Sequence, residues 1–299
     1  MITLIVNPDA GNGKSKKVVN TAIKSLKEKN LSFRVWEAEA YGSAKALAEK
    51  AAGEYNAAAE EPEFLIAVGG DGTFLEVVRG ILGSGMPVAT LPAGTGNDFL
   101  KSLGVPIEPI AALEHILDAE VRTIDVGKVG DKLFANECGA GFDVTVLDHA
   151  FKARRYIKGP LSYLWGVISA IFTHKSRSMA ISADGKEVFR GDCLVFSVAN
   201  GKYIGGGIPI APEADPTNGK LELTVIADCS RPRMCSYLPG LLAGKILTFK
   251  HTVVHCRADT VQVKTLTRNS TLRVNVDGEI SDMERCDFAV LPAALPIHM

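Results

Sequence analysis

Asp71 sits inside the pentapeptide Gly69-Gly70-Asp71-Gly72-Thr73, directly after the apolar run 64–68. Two adjacent glycines let a backbone approach a ligand closely, and Thr73 opens the next helical pattern, so the loop suits a phosphate group. A carboxylate among phosphates would be repelled unless a cation stood between them, and Asp71 therefore implies Mg²⁺. The plain alternative is a turn residue. A second loop, Asn7-Pro8-Asp9-Ala10-Gly11-Asn12-Gly13-Lys14-Ser15, follows the apolar run 2–6. It is not a Walker motif, because Pro8 stands where the first glycine is required. Its small residues, its backbone N–H groups before a helix and Lys14, Lys16 and Lys17 still suit a phosphate; read alone, it is equally a strand–helix turn. A third loop, Pro92-Ala93-Gly94-Thr95-Gly96-Asn97-Asp98-Phe99, adds neutral hydrogen-bonding groups at Thr95 and Asn97 and a second acid at Asp98.

Three glycine-rich loops on one sheet edge require parallel strands alternating with helices, and the first third of the chain has that pattern. Strand-like runs at 2–6, 33–36, 64–68 and 86–91 alternate with helical spacing at 16–29, 43–58, 73–82, 98–103 and 110–118, and Ser43 is placed to cap the second helix. This predicts a doubly wound α/β domain with ligands at the carboxyl ends of its strands. From residue 123 the strong runs are β-like (133–136, 179–182, 193–199, 221–227, 260–264 and 272–276), with one helix at 161–172. A mostly antiparallel β domain follows from that pattern. The expected division is 1–123 and 124–290, with the chain end, about 290–299, a candidate to return to the first domain, and with a cleft between the two domains.

Composition narrows the classes. Net charge is −1, from 33 Lys and Arg against 34 Asp and Glu, which gives no support to a dedicated nucleic-acid binder. The six cysteines include no C-x-x-C pair and read as reduced thiols. His251 and His255 stand four apart, but Thr252-Val253-Val254 between them favours a strand over a helical metal site. The chain opens on an apolar strand without a signal-peptide pattern, and 161–172 is too short to span a bilayer. The expectation is a cytoplasmic protein that touches membranes at most from the surface. Leu161, Leu164, Trp165, Ile168, Ile171 and Phe172 share one helical face, flanked by Lys152, Arg154, Arg155, Lys158, Lys175 and Arg177. Such an element either docks on anionic membrane or covers the β domain.

The order N-P-x-x-G, G-G-D-G-T, P-x-G-T-x-N-D-F resembles the diacylglycerol kinase catalytic family, which includes sphingosine kinases and soluble bacterial lipid kinases. Asp125-Val126-Gly127, Asn136 to Phe142 with Asp143, Ala211-Pro212 through Asn218-Gly219, and Val276-Asp277-Gly278-Glu279 extend the likeness over nearly the whole chain. The resemblance implies an NAD kinase/diacylglycerol kinase-like fold, an α/β domain followed by a β-sandwich. It implies ATP- and Mg²⁺-dependent phosphorylation of a lipid hydroxyl, diacylglycerol first, with the nucleotide in the interdomain cleft. Asn7, Pro8, Asp9, Ala10, Gly11, Gly69, Gly70, Asp71, Gly72, Thr73, Gly94, Thr95, Asn97 and Asp98 would then hold nucleotide and metal, with Asp125 nearby. Glu279 would be the general base and Asp277 its neighbour in the charge network; without the resemblance, Asp277-Gly278 is a hairpin turn. A second, structural Mg²⁺ would use Asp215, Asn218 and the carbonyl of Lys220, weakened because Asn218 carries no charge. Ala38 and Leu75 replace a threonine and an asparagine usual in the family. An NAD-kinase-like enzyme with a soluble acceptor and a non-catalytic nucleotide sensor are the alternatives, and a homodimer is compatible with the sequence.

Overall fold

The computed structural model describes residues 1–59, 63–153, 155–157, 160–267 and 270–299. Arg154 and Lys158, read above as flanking cations, lie outside the described residues.

The chain forms two compact units, the first built from Met1–Val126, Pro216–Asn218 and Pro292–Met299. Its elements are β1 (Ile2–Val6), α1 (Ala10–Glu28), β2 (Phe33–Glu37), α2 (Ser43–Glu54), β3 (Phe64–Gly69), α3 (Asp71–Ile81), β4 (Val88–Pro92), α4 (Asp98–Leu103), α5 (Pro109–Asp118) and the start of β5 (Val121–Val129). The four strands are parallel in the order β4-β3-β1-β2. β1, β3 and β4 are buried along their whole length, as strands covered on both faces must be, and hence read as unbroken apolar runs. Helix α2 crosses α3 closely at Gly80, where an added Cβ would lie 2.6 Å from the Lys45 carbonyl. Leu75 is fully buried on α3, so an apolar core residue occupies that position. Ser43 does not cap α2: Gly42, in the left-handed region, holds the cap position, and the Ser43 hydroxyl donates to the Ala40 carbonyl.

The second unit comprises Gly127–Asp215 and Gly219–Leu291. It contains β6 (Lys132–Phe134), β7 (Glu137–Gly141), α6 (Phe142–Ala153), α7 (Pro160–Thr173), β8 (Arg177–Ala183), β9 (Lys186–Ala199), β10 (Leu221–Ala227), α8 (Arg231–Leu242), β11 (Val253–Ala258), β12 (Thr260–Thr265), β13 (Leu272–Val276), β14 (Glu279–Met283) and most of β15 (Cys286–His298). The strands run β14-β13-β7-β9-β8-β12-β15, and β10 joins β9 to β11. The described pairings among them are antiparallel. Asp184-Gly185 and Asp277-Gly278, all at positive φ, make the tight turns of the β8–β9 and β13–β14 hairpins. Phe134, Phe196 and Phe288 pack edge to face at the centre of the core, with Phe288 6.3 and 6.2 Å from the other two rings. Two helices escaped the sequence pattern. α6 opens with β-branched Val144, Thr145 and Val146, and α8 contains Pro239 and buries none of its side chains.

Gly127 faces Phe134 across the β5–β6 ladder so closely that an added Cβ would stand 2.1 Å from its ring. Replacement Gly127→Leu is expected to lower unfolding stability by about 1–3 kcal/mol, since Phe134 is fully buried and the added side chain would overpack it. Urea denaturation of the variant checks this.

Candidate active site

In the first unit the three glycine loops leave β1, β3 and β4 at adjacent carboxyl ends, and steric exclusion fixes their spacing. An added Cβ on Gly94 would lie 2.4 Å from the Cα of Gly70, and one on Gly11 only 2.1 Å from the Ala93 carbonyl oxygen. Gly69 accepts the N–H groups of Ala93 and Gly94 at its carbonyl, and the Asn7 amide donates to Thr73 Oγ1 at 3.1 Å. Asn7 also accepts from the Asp9 N–H, an Asx turn that starts the first loop. Gly11, Asn12 and Gly13 are all left-handed, so the regular part of α1 begins only at Lys14. Successive residues of this kind expose backbone N–H groups on one side of the chain, where an anion would sit. Lys14, Lys16, Lys17 and Thr95 are exposed around this edge, and Ser15, fully buried, ties back to the Pro8 carbonyl at 2.9 Å.

Asp71 is the hub of the arrangement. Its two oxygens accept the backbone N–H groups of Asp98 and Phe99, both at 3.1 Å, which caps α4 from another loop. Burial holds its carboxyl above the usual carboxylate range, against the opposing pull of those two bonds. Asp98, nearly buried, pairs with Lys101 at 2.9 Å. Asn97 is left-handed and buried; its amide donates to the Gly94 carbonyl, and its own oxygen has no protein partner. Asp125 is also buried and accepts the Ala293 N–H at 2.8 Å, while its backbone N–H donates to the Pro216 carbonyl at 2.6 Å.

In the second unit the Asp277 carboxylate accepts the backbone N–H groups of Ala135, Asn136 and Glu137, at 2.6, 3.1 and 2.6 Å. It is therefore the anchor of its hairpin turn, and the next turn residue, Gly278, donates to Asn275 Oδ1 at 2.7 Å. Glu279, half-buried, is the first residue of β14 and pairs with Val276.

Sequence reasoning missed Glu137. It is buried on β7, and its carboxyl is pushed well above the usual range by burial and then by the negative charge of Asp143. Burial likewise brings Asp143 to about 6, although the Val144 N–H and the Asn275 amide oppose the rise. An added Cβ on Gly139 would meet Glu137 Oε1 at 2.3 Å and Asp143 Oδ2 at 3.4 Å, so the glycine makes room for both acids. An acid at the head of the small, apolar run Cys138-Gly139-Ala140 was the available signal.

Residues 1–129 match the model of the diacylglycerol kinase catalytic domain, and residues 136–299 that of the YegS C-terminal NAD kinase beta sandwich-like domain. A Pseudomonas putida protein named "probable lipid kinase YegS-like" is 31% identical over 94% of this chain and 90% of its own. The chain belongs to the diacylglycerol kinase-like lipid kinase family. A diacylglycerol kinase of Mycobacterium tuberculosis is 27% identical over 99% of this chain and 94% of its own. The crystal structure of a diacylglycerol kinase from Bacillus anthracis superposes with a TM-score of 0.79 at 24% identity, covering 99% of this chain and 96% of that one, and shows the same fold. The protein is thus a lipid kinase, with an α/β domain and a β-sandwich domain as the resemblance implied.

Kinases of this kind imply a divalent cation, and the residues around Asp71 fit one held through water. Asp71 keeps two lone-pair directions beyond its two backbone bonds, and its burial would be relieved by positive charge. Among the described residues no three His, Cys, Asp or Glu side chains stand together to ligate an ion directly. The loop read as a second metal site fits an ion less well. Asp215 and Asn218 are exposed, and the Lys220 ammonium lies 2.6 Å from Asp259. The Arg257 guanidinium bonds Glu222 at 2.6 Å and lies 3.5 Å from Glu213, with Asp215 close enough to act on its charge. His255, on β11, also pairs with Glu222 of β10.

Two outcomes are expected in the second unit. Asp277→Ala leaves three buried N–H groups unpaired and should cost at least about 3 kcal/mol, with Asp277→Asn recovering part of the loss in urea melts. Asp143 binds its proton more tightly in the folded protein than in the unfolded chain. Its stabilising contribution is therefore complete below about pH 4 and is lost as pH rises through about 6. Asp143→Asn should flatten that part of the stability–pH curve, measured by urea midpoints across the range.

Proposed function

We propose that the protein transfers the γ-phosphoryl group of ATP to the free hydroxyl of diacylglycerol, giving phosphatidic acid, with Mg²⁺ as the accompanying cation. The observation that carries this reading is the set of backbone contacts among the three glycine loops around Asp71. It leaves an edge of backbone N–H groups beside the half-buried carboxylate of Asp71, an arrangement suited to phosphates and a hydrated cation. Asn7 through Gly11, Gly69 through Thr73, Gly94 and Thr95 would line the phosphates, and Lys14 would add a mobile positive charge. Asp71, with Asp98 as a second acid, would orient water on Mg²⁺, and the bound ion would offset charge on the transferring group.

Glu279 is assigned as general base. An alcohol is a poor nucleophile, and a carboxylate within hydrogen-bond reach accepts its proton as the new P–O bond forms. Asp277 is a positioning residue in this reading, because its carboxylate is committed to three backbone N–H groups and fixes the turn that carries Glu279. The lipid acceptor takes support from the relative named diacylglycerol kinase and from the second unit's apolar interior. An apolar cavity of about 70 Å³ is lined by Phe142, Ile171, Leu194, Met234, Leu241 and Phe249, with room for part of an acyl chain. Such an acceptor would be reached peripherally at a membrane surface, from the cytoplasm; no described helix is long and apolar enough to cross one.

The test is ATP-dependent phosphorylation of a panel of lipid alcohols and NAD in detergent micelles with Mg²⁺. Diacylglycerol is the expected acceptor, and Glu279→Gln should lower kcat by about 10² or more while melting stays unchanged. Phosphorylation of NAD or another soluble alcohol with none of any lipid would overturn the assignment.

A further inference from the structure

Helix α7 is built the wrong way round for a surface helix. Ser162, Gly166 and Ala170, four residues apart, are buried, whereas Leu161, Leu164, Trp165, Ile168 and Phe172 are 63, 53, 53, 45 and 65% exposed. The small face is the one that packs. An added Cβ on Gly166 would meet the Val146 carbonyl of α6 at 2.5 Å and the Ala150 Cβ at 3.1 Å, so α7 lies directly on α6 through its small side chains. Amphipathic surface helices normally turn their apolar stripe inward. Here a stripe running the length of the helix, about 20 Å at 1.5 Å per residue, is left in water. Such patches on soluble proteins mark binding surfaces.

The surroundings of the stripe select the occupant. Residues 149–183 contain six Lys or Arg (Lys152, Arg154, Arg155, Lys158, Lys175 and Arg177) and no Asp or Glu. Of these, Lys152, Arg155, Lys175 and Arg177 are described and exposed. Tyr156, 83% exposed, and Phe151 extend the apolar surface at the amino-terminal end. At the other end Arg231 donates to the carbonyls of Ile171 and Phe172 at 3.1 and 2.9 Å, which fastens the last turn of α7 to the start of α8. A protein partner would need a matching groove of its own. Asp228, bonded to Ser176, is an acid beside the carboxyl end of α7. An apolar stripe with a tryptophan, flanked in sequence by cations and by no acid of its own segment, still has the composition of a helix lying flat in a lipid–water interface. We infer that the outer face of α7 is a docking surface for an anionic lipid bilayer, with Leu164, Trp165, Ile168 and Phe172 entering the acyl boundary and the flanking cations meeting the headgroups. The choice of a bilayer rests on the lipid-kinase reading; the exposed face stands independently of it.

Trp165 makes the inference measurable, because the chain has only two tryptophans. In a Trp36→Phe background, mixing with phosphatidylglycerol–phosphatidylcholine vesicles is expected to shift Trp165 emission to the blue and to make it quenchable by brominated acyl chains. Binding should weaken at least tenfold between low and physiological salt and be at least tenfold weaker on pure phosphatidylcholine. Leu164→Glu with Ile168→Glu alters only exposed positions. It should cut vesicle binding at least tenfold while leaving thermal melting and turnover of a short-chain, water-soluble acceptor unchanged. Vesicle binding that survives the double substitution, or is absent from the parent protein, overturns the inference. So does a parent protein that is dimeric in solution and becomes monomeric on substitution, which would reassign the face to a second copy of the chain. Vesicle binding without turnover of any lipid would sink the proposed reaction and leave the surface standing; turnover without vesicle binding would do the reverse.

Discussion

The carboxylate of Asp71 accepts the N–H groups of Asp98 and Phe99, and those two bonds join the loop after β3 to the helix after β4. The other close approaches in the first unit are compatible with this link. Gly70 and Gly94 touch backbone to backbone, Gly11 sits on the Ala93 carbonyl, and Asn7 reaches Thr73. Each contact excludes a side chain or orients one, so the loops form a fixed edge rather than three independent turns. The cost is a partly buried negative charge whose proton affinity is raised. A charge held in that state favours any cation that reaches it, which is what a site for polyphosphate and metal requires.

The second unit uses the same device at a different place. Asp277, itself left-handed, gathers three consecutive N–H groups from the segment entering β7. A carboxylate satisfied by backbone is rigid, because its partners belong to the strand framework. Nearby, burial holds back the ionisation of both Glu137 and Asp143, and the negative charge of Asp143 holds back that of Glu137 further. The polar interior of the β unit is thus organised by acids acting on backbone and on one another.

What could be read from the residues alone follows the physics of each feature. Strands buried on both faces announce themselves as apolar runs, and glycine loops after them are conspicuous, so the α/β unit and its three loops were legible. The left-handed triplet Gly11-Asn12-Gly13 was not, because the close approach of Gly11 to Ala93 joins segments some 80 residues apart. Helices α6 and α8 lack the usual signals, one rich in β-branched residues and the other unburied with an internal proline. For α7 the periodicity located the apolar face but was silent on which way it points. That choice is made by Gly166, which lets only the small side approach α6. Asp277 read as a turn residue and as part of a charge network, and its three backbone acceptors belong to a segment some 140 residues away.

The return of β15 to the first unit has a temporal meaning. Ile297 pairs with Val88, the His298 ring lies 4.3 Å from that of Phe64, and Ala293 is bound by Asp125. During vectorial synthesis the segment Met1–Val126 leaves the ribosome with this edge of its sheet unpaired, and the partner for it is translated only after the β unit. The β unit, whose residues are nearly all made in between, has its own core to assemble while the first unit waits. A fragment that stops before β15 would lack these contacts at Val88, Phe64 and Asp125, so the first unit reaches its full set of pairings only after the β unit has been made.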